Sequence, residues 1–76
     1  MKKEDFYLRL QEDLELDAPI DADTNIANME EWDSMAAMVL IALVNEEFSV
    51  ALNSDDIEKI TTANSIVEII GADKFN

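Results

Sequence analysis

Seventy-six residues hold 5 Lys and Arg against 18 Asp and Glu, with no His, a formal net charge of −13. That sign excludes the nucleic-acid phosphate backbone and repels anionic membrane surfaces, so an electrostatic partner must present Lys and Arg. Without Cys or His the chain builds no disulfide, thiolate nucleophile, imidazole-ligated metal or Ser-His-Asp relay, and its length suits one domain, residues 1–76.

Half the residues, 49%, are apolar and only one Gly and one Pro interrupt them, so the chain is expected to fold. Repulsion among so many carboxylates predicts a stability that rises with salt. The opening MKKEDF lacks the apolar run of a signal peptide, and the longest apolar stretch, Met35 to Val44, is half a membrane span. A cytoplasmic monomer without membrane insertion is the expectation.

Lys3 to Leu14 spaces Phe6, Leu10 and Leu14 four apart, the signature of an amphipathic helix. Glu15 to Asp33 carries Pro19, several Asp and two Asn without periodicity. It reads as a long loop, a length often functional, pinned by Ile20, Ile26, Met29 and Trp32. Asp33 and Ser34 are good N-caps before an apolar helix running to Glu47. Phe48 to Leu52 reads as an extended linker. Asn53 or Ser54 caps a short helix through Lys59 or Ile60, with Asp55 and Asp56 in its first turn, where the helix dipole favours anions. Thr61 or Thr62 caps a last helix that stops at Gly71, the C′ residue. The fold class is all-α: a small four-helix bundle, three longer helices and one short, with a long first loop.

Asp21-Ala-Asp23-Thr-Asn25 opens like a calcium-binding loop. Ile26 then stands where a Gly must turn and Trp32 where a bidentate Glu must ligate, so a solvated acidic loop is the better reading, and no metal is expected. The second helix is apolar almost all round from Met35 to Val44. We expect Met35, Met38, Val39, Ala42 and Leu43 to face the core, with Ala36, Leu40 and Val44 left for a partner or a cavity.

The strongest constellation is Glu30-Glu31-Trp32-Asp33-Ser34-Met35. A Ser hydroxyl at a helix N-terminus lies at the positive end of the dipole among unpaired N–H groups, a setting suited to a phosphoester. On physics alone, simple capping by Asp33 and Ser34 is the favoured role.

Asp33-Ser34-Met35, the following helix ending Asn45-Glu46-Glu47-Phe48, and Glu58-Lys59-Ile60-Thr61-Thr62 together resemble the acyl carrier proteins over nearly the whole chain. The resemblance implies that Ser34 carries 4′-phosphopantetheine, installed from coenzyme A by a separate phosphopantetheinyl transferase. The prosthetic thiol would then carry acyl groups as thioesters, which accounts for the missing Cys, and the chain itself would not be an enzyme. It implies partner recognition by Asp33, Met35, Glu46, Glu47, Asp55 and Asp56, toward acyl-transferring or acyl-activating enzymes with basic docking surfaces. Glu31 and Trp32 replace small residues common before the motif in fatty-acid biosynthesis carriers, and Ala36, Ala37 and Val39 replace acids. This points to a dedicated lipid, polyketide or surface-glycan pathway. An aminoacyl carrier of the D-alanyl type and an unmodified acidic helical adaptor are the alternatives.

Overall fold

The computed structural model describes residues 1–75. The described residues form four α-helices, α1 (Lys3–Asp13), α2 (Ser34–Phe48), α3 (Ser54–Glu58) and α4 (Ala63–Ile70), with one 3-10 turn in the long loop, Ile26–Asn28, and another after α4, Ala72–Lys74. No strand occurs among the described residues; one isolated bridge pairs Asn25 with Thr62. The all-α architecture is the one expected.

Side-chain caps set the helix starts. The side chains of Asp33, Asn53 and Thr62 accept from the backbone N–H of Ala36, Asp56 and Ser65 respectively, each satisfying an amide that the first turn leaves orphaned. Asp56 returns the favour to the Asn53 N–H, completing a capping box. The ends are set differently. Ser49 closes α2 in the left-handed region (φ 57°), its N–H donating to Asn45 O. Gly71 caps α4 at φ 113°, a conformation that favours glycine, with its N–H on Val67 O.

Phe48 corrects the sequence reading. It is the last residue of α2, not linker, and its ring lies 5.9 Å from that of Phe6 and 4.8 Å from that of Phe75. That cluster joins the start of α1 to the end of α2, so the two helices run antiparallel. The short helix ends at Glu58, one or two residues earlier than the expected Lys59 or Ile60, with Lys59 as its C-cap.

The buried face of α2 is also the reverse of the expectation. Ala36, Leu40, Leu43 and Val44 enter the core, whereas Met35 and Met38 are 74% and 69% exposed and Ala42 is exposed. Only Leu43 of the expected core set is fully buried, and Val39 is half-buried. A helix with apolar residues on every side gives its moment no phase, so the neighbours choose the face. The core takes branched Leu and Val, which pack stiffly and densely, and leaves the flexible thioethers in water.

The long loop is held in place by both its side chains and its backbone. Ile26 is buried, and Ile20, Met29 and Trp32 pack against the core as expected. The backbone then ties the loop to the start of α4 through Ala27 N to Thr61 O, Ala63 N to Thr24 O and Asn64 N to Ala22 O, at 3.1, 3.0 and 3.0 Å. These bonds fix the segment that delivers Trp32 and Asp33 to α2.

Candidate functional site

Ser34 is the first residue of α2, and its side chain is exposed. Asp33, extended at φ −126°, turns its carboxylate inward over the helix end, where Oδ1 accepts from the Ala36 N–H at 2.9 Å. The carbonyl of Asp33 accepts from Ala37 N at 3.0 Å. The Ser34 hydroxyl and the N–H groups of Ser34 and Met35 have no partner among the described residues. An exposed hydroxyl beside two unclaimed amides at the positive end of a 15-residue helix suits a phosphodiester ester-linked at that oxygen.

Ser34 stands at the rim of a groove of about 510 Å³ between α2 and α3. Trp32, Ala37, Ile41 and Ile57 supply its apolar surface; Asp33, Ser34, Ser54 and Glu58 supply its polar edge. A second concavity of about 360 Å³ lies where the end of α1 meets the start of α2, and Asp33 lines both. Ser34 thus borders the first depression, and its neighbour Asp33 is shared by two depressions of different character.

The sequence-derived recognition residues fall into separate places. Asp33 and Met35 flank Ser34 directly. Asp55 is exposed in the first turn of α3, and Asp56 is committed to the Asn53 capping box. Glu46 and Glu47 lie at the far end of α2, and both are engaged by Arg9 of α1, at 3.5 and 2.8 Å. Arg9 also reaches Asp13 at 3.0 Å, and these three are the ion pairs found among the described residues. The hydrogen bonds that Arg9 donates to Asp13 and Glu47 raise its pKa above the ordinary value. Glu58, one of the short-helix acids, borders the first groove, and Asp13 and Glu15 border the second without having been singled out in the sequence, because only the tertiary packing brings them near Asp33.

The calcium-like segment is occupied with its own turns. Asp21 Oδ1 accepts from Asp23 N at 2.9 Å and from the Thr24 hydroxyl at 3.2 Å, and Asn25 Oδ1 caps the first 3-10 turn through Asn28 N at 3.2 Å. No cluster of metal-binding side chains occurs among the described residues. Nor is any helix there long and apolar enough to cross a membrane.

A family model for the phosphopantetheine attachment site matches residues 8–70. The chain belongs to that family. The match spans all of α2, α3 and α4 and most of α1, and a domain of this kind is the attachment site for 4′-phosphopantetheine. No curated protein and no solved structure matches the chain.

Proposed function

We propose that this phosphopantetheine-binding domain is an acyl carrier whose prosthetic group is esterified to the Ser34 hydroxyl. The observation that carries the reading is the unpartnered, exposed Ser34 side chain at the first turn of α2, inside the matched region. The other serines lie elsewhere: Ser49 caps the far end of α2, Ser54 opens the five-residue α3, and Ser65 bonds Thr61 and Thr62. When bound, the group supplies the thiol that this sequence lacks, able to hold acyl groups as thioesters.

This chain's residues do the positioning. Asp33 fixes the helix end and so the direction of the Ser34 side chain, while the free N–H groups of Ser34 and Met35 face a phosphodiester's charge. The α2/α3 groove, floored by Ala37, Ile41 and Ile57, offers apolar surface beside the attachment point. Without Cys or His, the chain acts as a carrier, not a catalyst; a separate transferase supplies the base that activates Ser34. Asp33, Met35, Glu46, Glu47, Asp55 and Asp56 are the proposed contacts for that transferase and for acyl-handling enzymes. The uncharged run from Ser34 to Asn45 favours a dedicated pathway over housekeeping fatty-acid synthesis.

Incubation with coenzyme A, magnesium and a broad-specificity phosphopantetheinyl transferase tests the reading. Wild type gains the mass of one phosphopantetheine and Ser34→Ala gains none. An unmodified wild type refutes the reading in favour of the adaptor alternative.

A further inference from the structure

All the sulfur of this chain sits in four methionines, since it has no Cys. Met1 and Met29 are half-buried and pack against the core, whereas Met35 and Met38 are 74% and 69% exposed. Both exposed thioethers stand beside the attachment hydroxyl. Met35 follows Ser34 directly, and Met38 lies four residues on, which puts it on the same face of α2, one turn above. Cα–Cβ bonds in a helix tilt toward its N-terminus, so that of Met38 points back toward the turn that carries Ser34. The core meanwhile takes Leu40, Leu43 and Val44 from the same helix and neither methionine.

We propose that Met35 and Met38 form an oxidative modification site that controls the loading of Ser34. The reaction is oxygen transfer from hydrogen peroxide. The thioether sulfur gives an electron pair to one peroxide oxygen, the O–O bond breaks, an S=O bond forms and water leaves; sulfur is oxidised by two electrons and the peroxide reduced by two. Return needs a methionine sulfoxide reductase and a dithiol, which releases the oxygen as water and becomes a disulfide. An enzyme that esterifies the Ser34 oxygen has to close over the surface around it, and that surface includes both thioethers. As sulfides they are soft apolar contacts. As sulfoxides each presents a polar acceptor oxygen whose burial without a donor is costly. The acids that line the depression beside Met35, Asp13, Glu15, Glu31 and Asp33, are acceptors too and offer it no donor. The fold is indifferent to the change, because neither side chain belongs to the core cluster. This inference rests on the carrier reading and adds regulation to it.

The test is steady-state loading from coenzyme A by a broad-specificity phosphopantetheinyl transferase, with untreated and peroxide-treated carrier as the varied substrate. Catalase removes residual peroxide first, peptide mapping fixes the sulfoxide at each methionine, and circular dichroism follows the melt. Carrier with sulfoxide at Met35 and Met38 is expected to show KM raised about fivefold or more, with kcat within about twofold and an unchanged melt. Reductases for both sulfoxide epimers, with dithiothreitol, restore the untreated KM. In Met35→Leu/Met38→Leu, compared with its own untreated sample, the same peroxide leaves KM within about twofold. Met35→Gln/Met38→Gln, which places a polar acceptor at both positions without peroxide, raises KM in the same sense as oxidation. An unchanged KM with both sulfoxides mapped, a wild-type KM in the Gln variant, or a loss that persists in the Leu variant, resists the reductases or accompanies a lowered melt overturns the inference and leaves the carrier reading standing. Absence of loading in untreated wild type overturns both.

Discussion

Replacing Asp33 separates its structural role from its charge. Its Oδ1 satisfies the N–H of Ala36, the third residue of α2, at 2.9 Å, and Ala36 is buried at 7% exposure. Water therefore reaches that amide poorly once the acceptor is gone, which places Asp33→Ala toward the upper part of the usual capping range, about 1–2 kcal/mol. For a domain of this size each kcal/mol lowers Tm by roughly 4–8 °C. Asp33→Asn keeps an acceptor of the same length and loses only the interaction of the charge with the helix end, about 0.3–1 kcal/mol. Urea unfolding followed by circular dichroism should therefore rank wild type above Asn and Asn above Ala. In phosphopantetheine loading Asn should fall well below wild type despite its near-native fold, because the charge that a basic partner meets is gone. Equal destabilisation by Asn and Ala, or an Ala variant with an unchanged midpoint, would refute the capping argument.

Four further outcomes follow from the packing and the charge. Leu40→Ala, at a fully buried site, should cost about 2–5 kcal/mol, whereas Met38→Ala at 69% exposure should stay within about 0.5 kcal/mol in the same urea titration. Under limiting peroxide, peptide mapping should find sulfoxide at Met35 and Met38 before the half-buried Met29. Tyr7, the chain's single tyrosine, has a buried hydroxyl without a partner among the described residues, and burial followed by the nearby Asp21, Glu4 and Asp23 raises its pKa above 10.0. The unfolded chain then loses that proton first, so stability is fully present below the unfolded pKa and falls as pH rises through 10 toward the folded value. Tyr7→Phe should flatten this alkaline loss in urea midpoints and remove the tyrosinate absorbance step. Finally, Tm should rise with sodium chloride, since a net charge of −13 is opposed by three exposed or half-exposed ion pairs around one arginine.

Local chemistry was legible wherever a single residue type decides the backbone. Asp33, Asn53 and Thr62 cap where their side chains suggest, and Gly71 ends α4. The loop's apolar anchors were visible because Ile26 and Trp32 stand out against Asp and Asn. The orientation of α2 was not legible, since Met, Ala, Leu, Val and Ile surround its axis and only the positions of α1 and α4 determine which of them water reaches. The end of α2 was misplaced because Ser49 closes it in a left-handed conformation where glycine is the usual signal. At the site, Ser34 and Asp33 were readable from the motif and the cap. The contributions of Asp13 and Glu15 were not, because they depend on α1 running antiparallel to α2.

The attachment of the prosthetic group at Ser34 is the claim on which the functional account rests. Fragmentation mass spectrometry of the loaded protein tests it most directly, because the chain offers Ser49, Ser54 and Ser65 and three threonines as competing hydroxyls. The account predicts that every fragment bearing the phosphopantetheine mass contains Ser34, and that Ser34→Ala abolishes loading while keeping the wild-type melt. A modified fragment lacking Ser34, or a loaded Ser34→Ala protein, would contradict it.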